Sequence, residues 1–291
     1  MTLAALIAAG AVAWQPLEFT RNEAKLAYRT ASGLVEKCTP RDSGTIRGRL
    51  AANYILDAAS ATGVDVDVDK FTAKTPRGEM QFTNLSVRFE GAPDAEWVVI
   101  VSHYDTKPGS DCPGANDGAS TTGLLVALSD LLTDWKTPRG NVMLIWTDGE
   151  ECFNAYGPDD GFWGSRHAAE KLKKEGLKVK AVICLDMLGD RDLNIYVPRN
   201  GSRALAKIAQ YAAKEAGIAD KVRLSDELVK DDHVAFLNQK MKATWSSFTS
   251  SSGLNDYWHT AKDTMENVSE DSLFASGKLV VGMLNVLLDG K

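Results

Sequence analysis

Residues 141–151 have the sequence NVMLIWTDGEE, which predicts a buried strand followed by an acidic turn. The first six residues are mostly apolar, as in a strand covered on both faces, and Gly149 permits a sharp turn after it. Two adjacent carboxylates, Glu150 and Glu151, would repel each other there unless a positive charge lies close by. A metal ion held by one carboxylate would leave the other free to move protons. The alternative is a solvated acidic turn.

Strands and amphipathic helices alternate on both sides of this run. Strands are predicted at 64–71, 81–89, 97–102, 141–146, 180–185 and 193–197, and helices at 21–62, 118–135, 165–175, 203–216 and 272–288. The pattern predicts an α/β fold, a single three-layer sandwich with a mostly parallel central sheet and helices on both faces. In such sheets ligands bind outside the carboxyl ends of the strands.

Charge and hydropathy exclude two classes of partner. The chain has 291 residues and a formal net charge of −6, whereas nucleic acid binding requires a basic surface. We find no apolar run of about 18 residues, so no membrane span is expected.

The first residues resemble an export signal. Residues 3–14 are mostly Ala, Leu, Ile, Val and Gly, and residues 11–13 (AVA) match the small-residue pattern of a signal peptidase site. A basic segment before the apolar run is missing, since the first positive residue is Arg21. We expect a signal peptide at 1–13, a single domain at 14–291, and a periplasmic or extracellular protein. The alternative is an apolar first helix on the core of a cytoplasmic protein.

The four cysteines show no Cys-x-x-Cys spacing, so a zinc knuckle or a thioredoxin-like pair is excluded. Cys184 lies in an apolar run and is expected in the core. Cys112 and Cys152 flank polar segments and could form a disulfide in an exported protein. The sequence leaves that pairing open.

Polar residues follow the buried strands, at the edge where a ligand would bind. Five segments carry His, Asp or Glu, namely 102–106 (SHYDT), 114–120 (GANDGAS), 148–151 (DGEE), 185–187 (LDM) and 257–264 (YWHTAKDT). These residue types supply the nitrogen and oxygen ligands that zinc prefers. Taken singly, a histidine after a strand is often only hydrogen-bonded, and Asp117 could be a helix N-cap. Their common position favours a metal site.

These five segments, in this order, resemble the M28 family of zinc aminopeptidases and the glutaminyl cyclases that share its fold. The resemblance extends over residues 95–291 and implies that residues 14–291 form an M28-type zinc-dependent catalytic domain. It also implies a cis peptide bond between Asp117 and Gly118, a strained element of the kind found at functional sites. The metal ligands that it implies are Asp117, bridging two ions, with His103 and Asp186 completing one site and Glu151 and His259 the other.

The resemblance further assigns roles to carboxylates around the metals. Glu150 would be the catalytic carboxylate that moves a proton during the reaction. Independently of the resemblance, Asp105 lies two residues beyond His103, where it would orient that imidazole or would instead cap a loop. Asp231 would share a proton network with Asp186, as in the cyclases, or would be a simple loop acid.

The sequence divides its similarity between the two branches of the family. Residues 152–163 separate the acidic pair from a Gly-Ser segment, as in the cyclases, whereas plain aminopeptidases have that segment close behind the pair. The bridging segment NDGAS is closer to the peptidases, and Tyr156 occupies the place of a pocket tryptophan in animal cyclases. Residues 244–248 also lack a histidine that those cyclases carry. Trp245 and Trp258 could line a substrate pocket.

We therefore expect an aminopeptidase that removes N-terminal residues from peptides or proteins, using two zinc ions, an activated water and Glu150 as general base. The alternative is a glutaminyl-peptide cyclotransferase, which uses one zinc, forms N-terminal pyroglutamate and releases ammonia. A remote alternative is a non-catalytic peptide-binding module, although all five ligand types are present here.

Overall fold

The computed structural model describes residues 15–91, 94–135, 140–241, 249–250 and 255–289. The predicted signal peptide at 1–13 and the pocket candidate Trp245 lie outside the described residues. Residues 244–248, the segment that lacks the histidine of the animal cyclases, also lie outside the described residues.

Helices recur along the described chain and pack on the central sheet. Their bounds are α1 Arg21–Cys38, α2 Ile46–Ser60, α3 Thr121–Thr133, α4 Trp163–Lys174, α5 Arg203–Glu215, α6 His233–Asn238 and α7 Glu270–Asp289. A capping box begins α1, where Thr20 accepts from the amide of Asn22 and Glu23 accepts from the amide of Thr20. Four of these helices lie within three residues of their predicted bounds, whereas α6 was not predicted.

The described strands form two sheets. Their bounds are β1 Asp67–Thr75, β2 Gly78–Phe89, β3 Trp97–His103, β4 Asn141–Thr147, β5 Val179–Cys184, β6 Ile195–Val197, β7 Val222–Leu224 and β8 Thr249–Ser250. The central sheet has the order β1-β2-β4-β3-β5, and the small sheet has the order β7-β6-β8.

The central sheet is mixed in direction. Strands β4, β3 and β5 run parallel, whereas β2 pairs antiparallel with both β4 and β1. The α/β fold is confirmed, but the expected mostly parallel sheet is corrected to a parallel half and an antiparallel half. For β1 and β2 the reason is the connection between them, because Thr75 pairs with Gly78 and a tight turn of this kind can join only antiparallel strands.

Helices cover the parallel half of the central sheet on both faces, so β3 and β4 are buried along their whole length. Along β3, Val98 and Ile100 belong to the core shared with α1, α3 and α7, whereas Val99 and Val101 belong to the core shared with α4 and α6. This alternation follows from the two-residue period of a strand. A strand that is apolar on both faces is the expected result of such a three-layer arrangement.

The predicted single helix over 21–62 is wrong, because it is broken between α1 and α2. Pro40 has no amide hydrogen to donate and restricts the residue before it, which ends the helical conformation. Thr45 then caps α2 by accepting a hydrogen bond from the amide of Gly48 at 3.0 Å. The interruption supplies Arg41 and Ser43 to the polar edge of the central sheet, as described below.

Helix α7 is, among the described residues, the helix that is long and apolar enough to cross a membrane. However, 61% of its apolar stretch is buried inside the fold, where it packs against α5 and α1. This burial is typical of a core helix.

Candidate metal centre

The three parallel strands bring four of the predicted residues to one edge of the sheet. His103 ends β3, Glu150 and Glu151 follow β4, and Asp186 follows β5. His103 pairs in register with Thr147, so β3 and β4 end side by side. This is the edge at which α/β sheets bind ligands.

Gly149 makes the turn between β4 and the acidic pair. Its φ of 76° lies in the left-handed region, which glycine adopts without strain. A Cβ atom at this position would lie 2.6 Å from the ring of Phe82. Any other residue would therefore displace either the turn or the ring beneath it.

Asp117 lies between two groups of ligand atoms. On one side, Nε2 of His103 is 3.2 Å from Oδ1 of Asp117 and 3.2 Å from Oδ1 of Asp186. On the other side, Nε2 of His259 is 3.2 Å from Oδ2 of Asp117 and 2.8 Å from Oε1 of Glu151. Within each triad the ligand atoms lie within 4.8 Å of one another. The structure thus brings together all five predicted ligands, with Asp117 shared by both triads.

The donor chemistry of the two triads fits a metal ion. Imidazole nitrogens and carboxylate oxygens are zinc ligands, and the Glu151 side chain is only 1% exposed. Nε2 of His259 is buried and has no well-aligned hydrogen-bond partner among the described residues. Burial lowers the pKa of His259, but contacts with Asp117 and Glu151 outweigh that effect and raise this pKa to about 9. The triad therefore attracts positive charge, which a divalent cation would supply.

The backbone reaches Asp117 through a kinked segment, Ala115–Ser120, in which Asp117 and Gly118 have non-helical backbone angles. The expectation of a cis bond between Asp117 and Gly118 is wrong, since this bond is trans. Gly118 reverses the chain instead, with a φ of 89° that glycine tolerates. A Cβ atom on Gly118 would lie 3.1 Å from the ring of His103, so the absence of a side chain here leaves room for that imidazole.

Glu150 lies beside the triads and belongs to neither of them. Burial, followed by the charge of Glu151, raises the pKa of Glu150 well above its ordinary value, and Asp231 adds to this rise. Burial and Asp117 raise the pKa of Asp186, and Asp231 contributes there too. Asp231 is thus within electrostatic reach of both acids, as its predicted place in a proton network requires. A buried carboxyl group with a raised pKa is suited to general acid–base chemistry.

Asp105 caps the acidic turn and also lies beside the ring of His103. Its carboxylate accepts hydrogen bonds from the amides of Glu150 at 3.1 Å and Glu151 at 3.2 Å, which caps the acidic turn. The same carboxylate lies 3.5 Å from Nδ1 of His103, on the ring side opposite Asp117. Ser43 donates a further hydrogen bond to it at 3.2 Å. One buried acid therefore connects β3, the acidic turn and the break between α1 and α2.

The acidic pair is followed by the 152–162 loop, which is held closed by its own residues and by Arg166. Gly157 and Asp160 form an antiparallel bridge across it. The guanidinium group of Arg166 donates to the carbonyls of Gly157 and Pro158 from α4. The buried carboxylate of Asp160 accepts from three amides, those of Phe153 at 2.7 Å, Asn154 at 2.8 Å and Ala155 at 3.3 Å.

Tyr156 connects this loop to the acidic pair. Its hydroxyl lies 2.8 Å from Oε2 of Glu151 and 3.1 Å from Oε2 of Glu150. Its ring stacks on Phe162 with a centroid distance of 4.8 Å, and its carbonyl accepts from Lys230 at 3.2 Å. Tyr156 therefore contacts the site through its hydroxyl, which a tryptophan at this place would lack.

Trp258 lies against a ligand ring. It stacks on the neighbouring His259 with a centroid distance of 3.5 Å. His259 has a φ of 57°, a conformation that only a few per cent of non-glycine residues adopt. The half-buried indole therefore covers one face of the imidazole whose Nε2 faces Asp117.

The four cysteines are free thiols, and all four are buried. The disulfide between Cys112 and Cys152 that the sequence left open is therefore not formed in this structure. Instead, Lys107 donates to Sγ of Cys152 at 3.0 Å. The same ammonium group is 3.7 Å from Oε2 of Glu151 and provides a positive charge beside the acidic pair.

Two buried residues that the sequence interpretation missed hold the segment before Asp117. The carboxylate of Asp263 accepts from the amides of Asn116 at 2.8 Å and Asp117 at 3.1 Å. Arg41 donates to the carbonyl of Gly114 at 2.7 Å. Asp263 lies four residues after His259 in a segment already singled out, so its position was a usable signal. No such signal marks Arg41, because nothing in the neighbouring sequence distinguishes it from a surface arginine.

Comparison with known proteins places these features in a family context. The family model described as Peptidase family M28 matches residues 84–284. The glutaminyl-peptide cyclotransferase of Drosophila melanogaster is 29% identical over 255 residues, which cover 77% of this chain and 71% of that protein.

Solved structures are similar over almost the whole chain. A glutaminyl cyclase from an Acidobacteriales bacterium has a TM-score of 0.86 at 29% identity and covers 97% of this chain and 99% of its own. A leucine aminopeptidase precursor from Bacteroides thetaiotaomicron has a TM-score of 0.82 at 21% identity, covers 92% and 99% respectively, and shares the fold.

Proposed function

Because this chain belongs to peptidase family M28, we propose that it is an enzyme acting on free peptide N-termini, and specifically a zinc-dependent glutaminyl-peptide cyclotransferase. The family-level part of the sequence prediction is confirmed. Between the two reactions, however, the comparisons favour the alternative over the expected aminopeptidase, since relatives named as glutaminyl cyclases match in sequence and structure over most of the chain.

The observation that carries this choice is the likeness to the Acidobacteriales glutaminyl cyclase, which extends over 97% of the chain. The 152–162 loop supports it, because this insertion brings Tyr156 to the acidic pair. Oε2 of Glu151 is thereby engaged with the tyrosine hydroxyl, and Oε1 remains for the triad with His259. This arrangement suits a carboxylate that binds one zinc ion through one oxygen.

In the proposed reaction, Asp117, Glu151 and His259 would hold the zinc. When bound, zinc would supply Lewis acidity to the side-chain amide oxygen of an N-terminal glutamine. Glu150 accepts a proton from the α-amine as its nitrogen attacks the side-chain carbonyl carbon, and then gives a proton to the departing ammonia. The new C–N bond closes the pyroglutamate ring as the old amide C–N bond breaks. Asp105 holds the amides of the acidic turn in place throughout.

The aminopeptidase remains the second candidate because of one observation. His103, Asp117 and Asp186 form a complete second triad that shares Asp117 with the first. Two metal ions held by these triads would supply the chemistry that activates a water for peptide hydrolysis. A peptidase would use Glu150 to take the proton of that water.

A paired assay separates the two reactions. The purified protein is offered an N-terminal glutamine peptide and, separately, a leucine anilide, and its zinc content is measured by elemental analysis. We expect ammonia and pyroglutamate from the first substrate and no aniline from the second. Release of free amino acids with two zinc ions per chain would establish the aminopeptidase instead. A protein without zinc and without turnover would leave only the peptide-binding module.

A further inference from the structure

Arg41 is a fully buried arginine with an unusual set of partners. Its guanidinium group donates to four backbone carbonyls, those of Tyr104, Pro113 at 2.6 Å, Gly114 at 2.7 Å and Asp117 at 3.3 Å. The side chain is 0% exposed. Removing a cation from water is costly unless its hydrogen bonds are replaced, and these carbonyls replace them.

These contacts join the end of β3 to the segment 113–117 that carries Asp117. The planar guanidinium presents its donors in a rigid fork, so it fixes the relative position of several carbonyls at once. Gly114 has a φ of 60°, and a Cβ atom there would lie 2.9 Å from Nη2 of Arg41 and 2.6 Å from Thr106. The backbone thus packs around the guanidinium with no room for a larger residue.

Asp263 holds the same segment through hydrogen bonds that run in the opposite direction. It accepts from the amides of Asn116 and Asp117, whereas Arg41 donates to the carbonyls of Gly114 and Asp117. Both polar groups of the Asp117 backbone therefore have a buried side-chain partner. The hydrogen bond from the Arg41 cation is charge-assisted, which makes it stronger than a neutral one.

We propose that Arg41 is a positioning residue for metal binding, which fixes the carboxylate of Asp117 between the two triads before an ion arrives. This inference rests on the proposed zinc site. A positioned ligand binds tightly because the ion does not have to order it. Arg41 acts through Asp117 and contacts neither substrate nor metal.

The direction in which zinc affinity changes distinguishes a positioning role of Arg41 from a purely electrostatic one. A buried positive charge close to Asp117 repels an incoming divalent cation. If Arg41 acted only through its charge, Arg41→Met would bind zinc more tightly and Arg41→Lys would leave the affinity unchanged. If it acts by positioning, both variants bind zinc more weakly, since methionine donates no hydrogen bond and lysine has no rigid fork.

Zinc affinity is measured by competition with a chromophoric chelator, with Arg47→Met on the exposed surface of α2 as the control for a lost arginine charge. We expect losses of about 10- to 100-fold for Arg41→Met and a smaller loss for Arg41→Lys, the range known for residues that orient metal ligands. Arg47→Met should match the wild type. Unchanged affinity in Arg41→Lys, or tighter binding in Arg41→Met, would overturn the proposal.

A spectroscopic readout adds evidence that a mere loss of stability would not produce. Cobalt-substituted wild-type protein and folded Arg41→Lys are compared by their visible d–d absorption, and we expect the bands of the variant to shift because Asp117 is displaced. Identical spectra would contradict positioning. If circular dichroism shows Arg41→Met to be unfolded, Arg41→Lys decides the outcome alone. The proposed reaction is tested separately, by zinc content and pyroglutamate formation in the wild type.

Discussion

The hydroxyl of Tyr156 donates a hydrogen bond to Oε2 of Glu151 at 2.8 Å. This contact ties the centre of the 152–162 loop to a candidate metal ligand. Since the same hydroxyl is 3.1 Å from Glu150, the tyrosine holds both carboxylates of the acidic turn in fixed positions. The loop is therefore part of the site.

Tyr156→Phe tests this connection by removing only the hydroxyl. We expect turnover to fall by about 10- to 100-fold, the effect of losing a hydrogen bond to a charged group, while zinc content stays unchanged. Steady-state kinetics and elemental analysis provide the two measurements. Tyr211→Phe on the exposed surface of α5 is the matched control and should behave as the wild type. Full activity in Tyr156→Phe would show that the hydroxyl is dispensable.

Glu150→Gln removes the proposed proton carrier without altering its shape. We expect turnover to fall by about 10²- to 10⁴-fold, the usual contribution of a general acid–base group. Zinc should remain bound, because Glu150 belongs to neither triad. Glu151→Gln is the comparison and should lose zinc. The assignment of the two carboxylates is wrong if Glu150→Gln is the variant that loses the metal.

Variants that each remove one ligand distinguish a site for one zinc ion from a site for two. His259→Ala should abolish zinc binding, because it removes one of the three ligands that the proposed cyclase site requires. His103→Ala should keep one zinc per chain if the cyclase proposal is right, since His103 belongs only to the second triad. Elemental analysis after dialysis measures both. A wild type with two ions and a His103→Ala variant with one would instead support the aminopeptidase.

Asp160→Ala should loosen the 152–162 loop. Its carboxylate accepts from three loop amides, and the variant leaves these amides without that partner. We expect faster proteolytic cleavage within the loop and reduced turnover, with zinc content retained. Asp159→Ala alters an exposed neighbour in the same loop and is the control. Equal cleavage rates in the two variants would argue against the role of Asp160.

Acid should destabilise the fold through His233. Burial lowers the pKa of this imidazole from 6.5 to about 3, so the folded state keeps it neutral while the unfolded state binds a proton. Its stabilisation is complete above pH 6.5 and is lost as the pH falls from there toward 3, at about 1.4 kcal/mol per pH unit. Urea unfolding of wild type and His233→Gln between pH 7 and pH 4 measures the difference in slope.

The neighbouring Asp232 acts in the opposite direction. Burial and Asp231 raise the pKa of Asp232 from 3.8 to about 7, so the folded state binds this proton more tightly than the unfolded state does. The stabilisation that this provides is lost as the pH rises from 3.8 to 7. Because Asp232 is present in both proteins, it largely cancels in the comparison. Parallel pH dependences for wild type and His233→Gln would show that His233 is not the responsible group.

The elements that could be predicted from sequence are those with a strong local pattern. Strands β3, β4 and β5 match their predicted bounds to within one residue, because strands apolar on both faces form uninterrupted runs. The five ligand candidates were found from their positions after these strands and from the family resemblance. The structure places them together, at distances of 2.8–3.2 Å between the histidine nitrogens and the carboxylate oxygens.

What the sequence missed depends on contacts between distant segments. The break before α2 was overlooked because the pattern of α1 resumes in α2 with similar residues. Arg41 is separated from Gly114 by 73 positions and Asp263 from Asn116 by 147, so neither contact leaves a local pattern. The trans bond between Asp117 and Gly118 was missed because the cis bond was expected from the family resemblance, whereas Gly118 reverses the chain through its positive φ.

The internal bonding of the 152–162 loop has a consequence for how such enzymes diverge. Asp160 satisfies amides of its own loop, and the five ligand carriers lie on other segments. The loop therefore supplies much of its own scaffold, and Tyr156 is its contact with the ligand Glu151. Substitutions in this loop can therefore change the surroundings of the glutamate pair, while His103, Asp117, Asp186 and His259 lie on segments outside it.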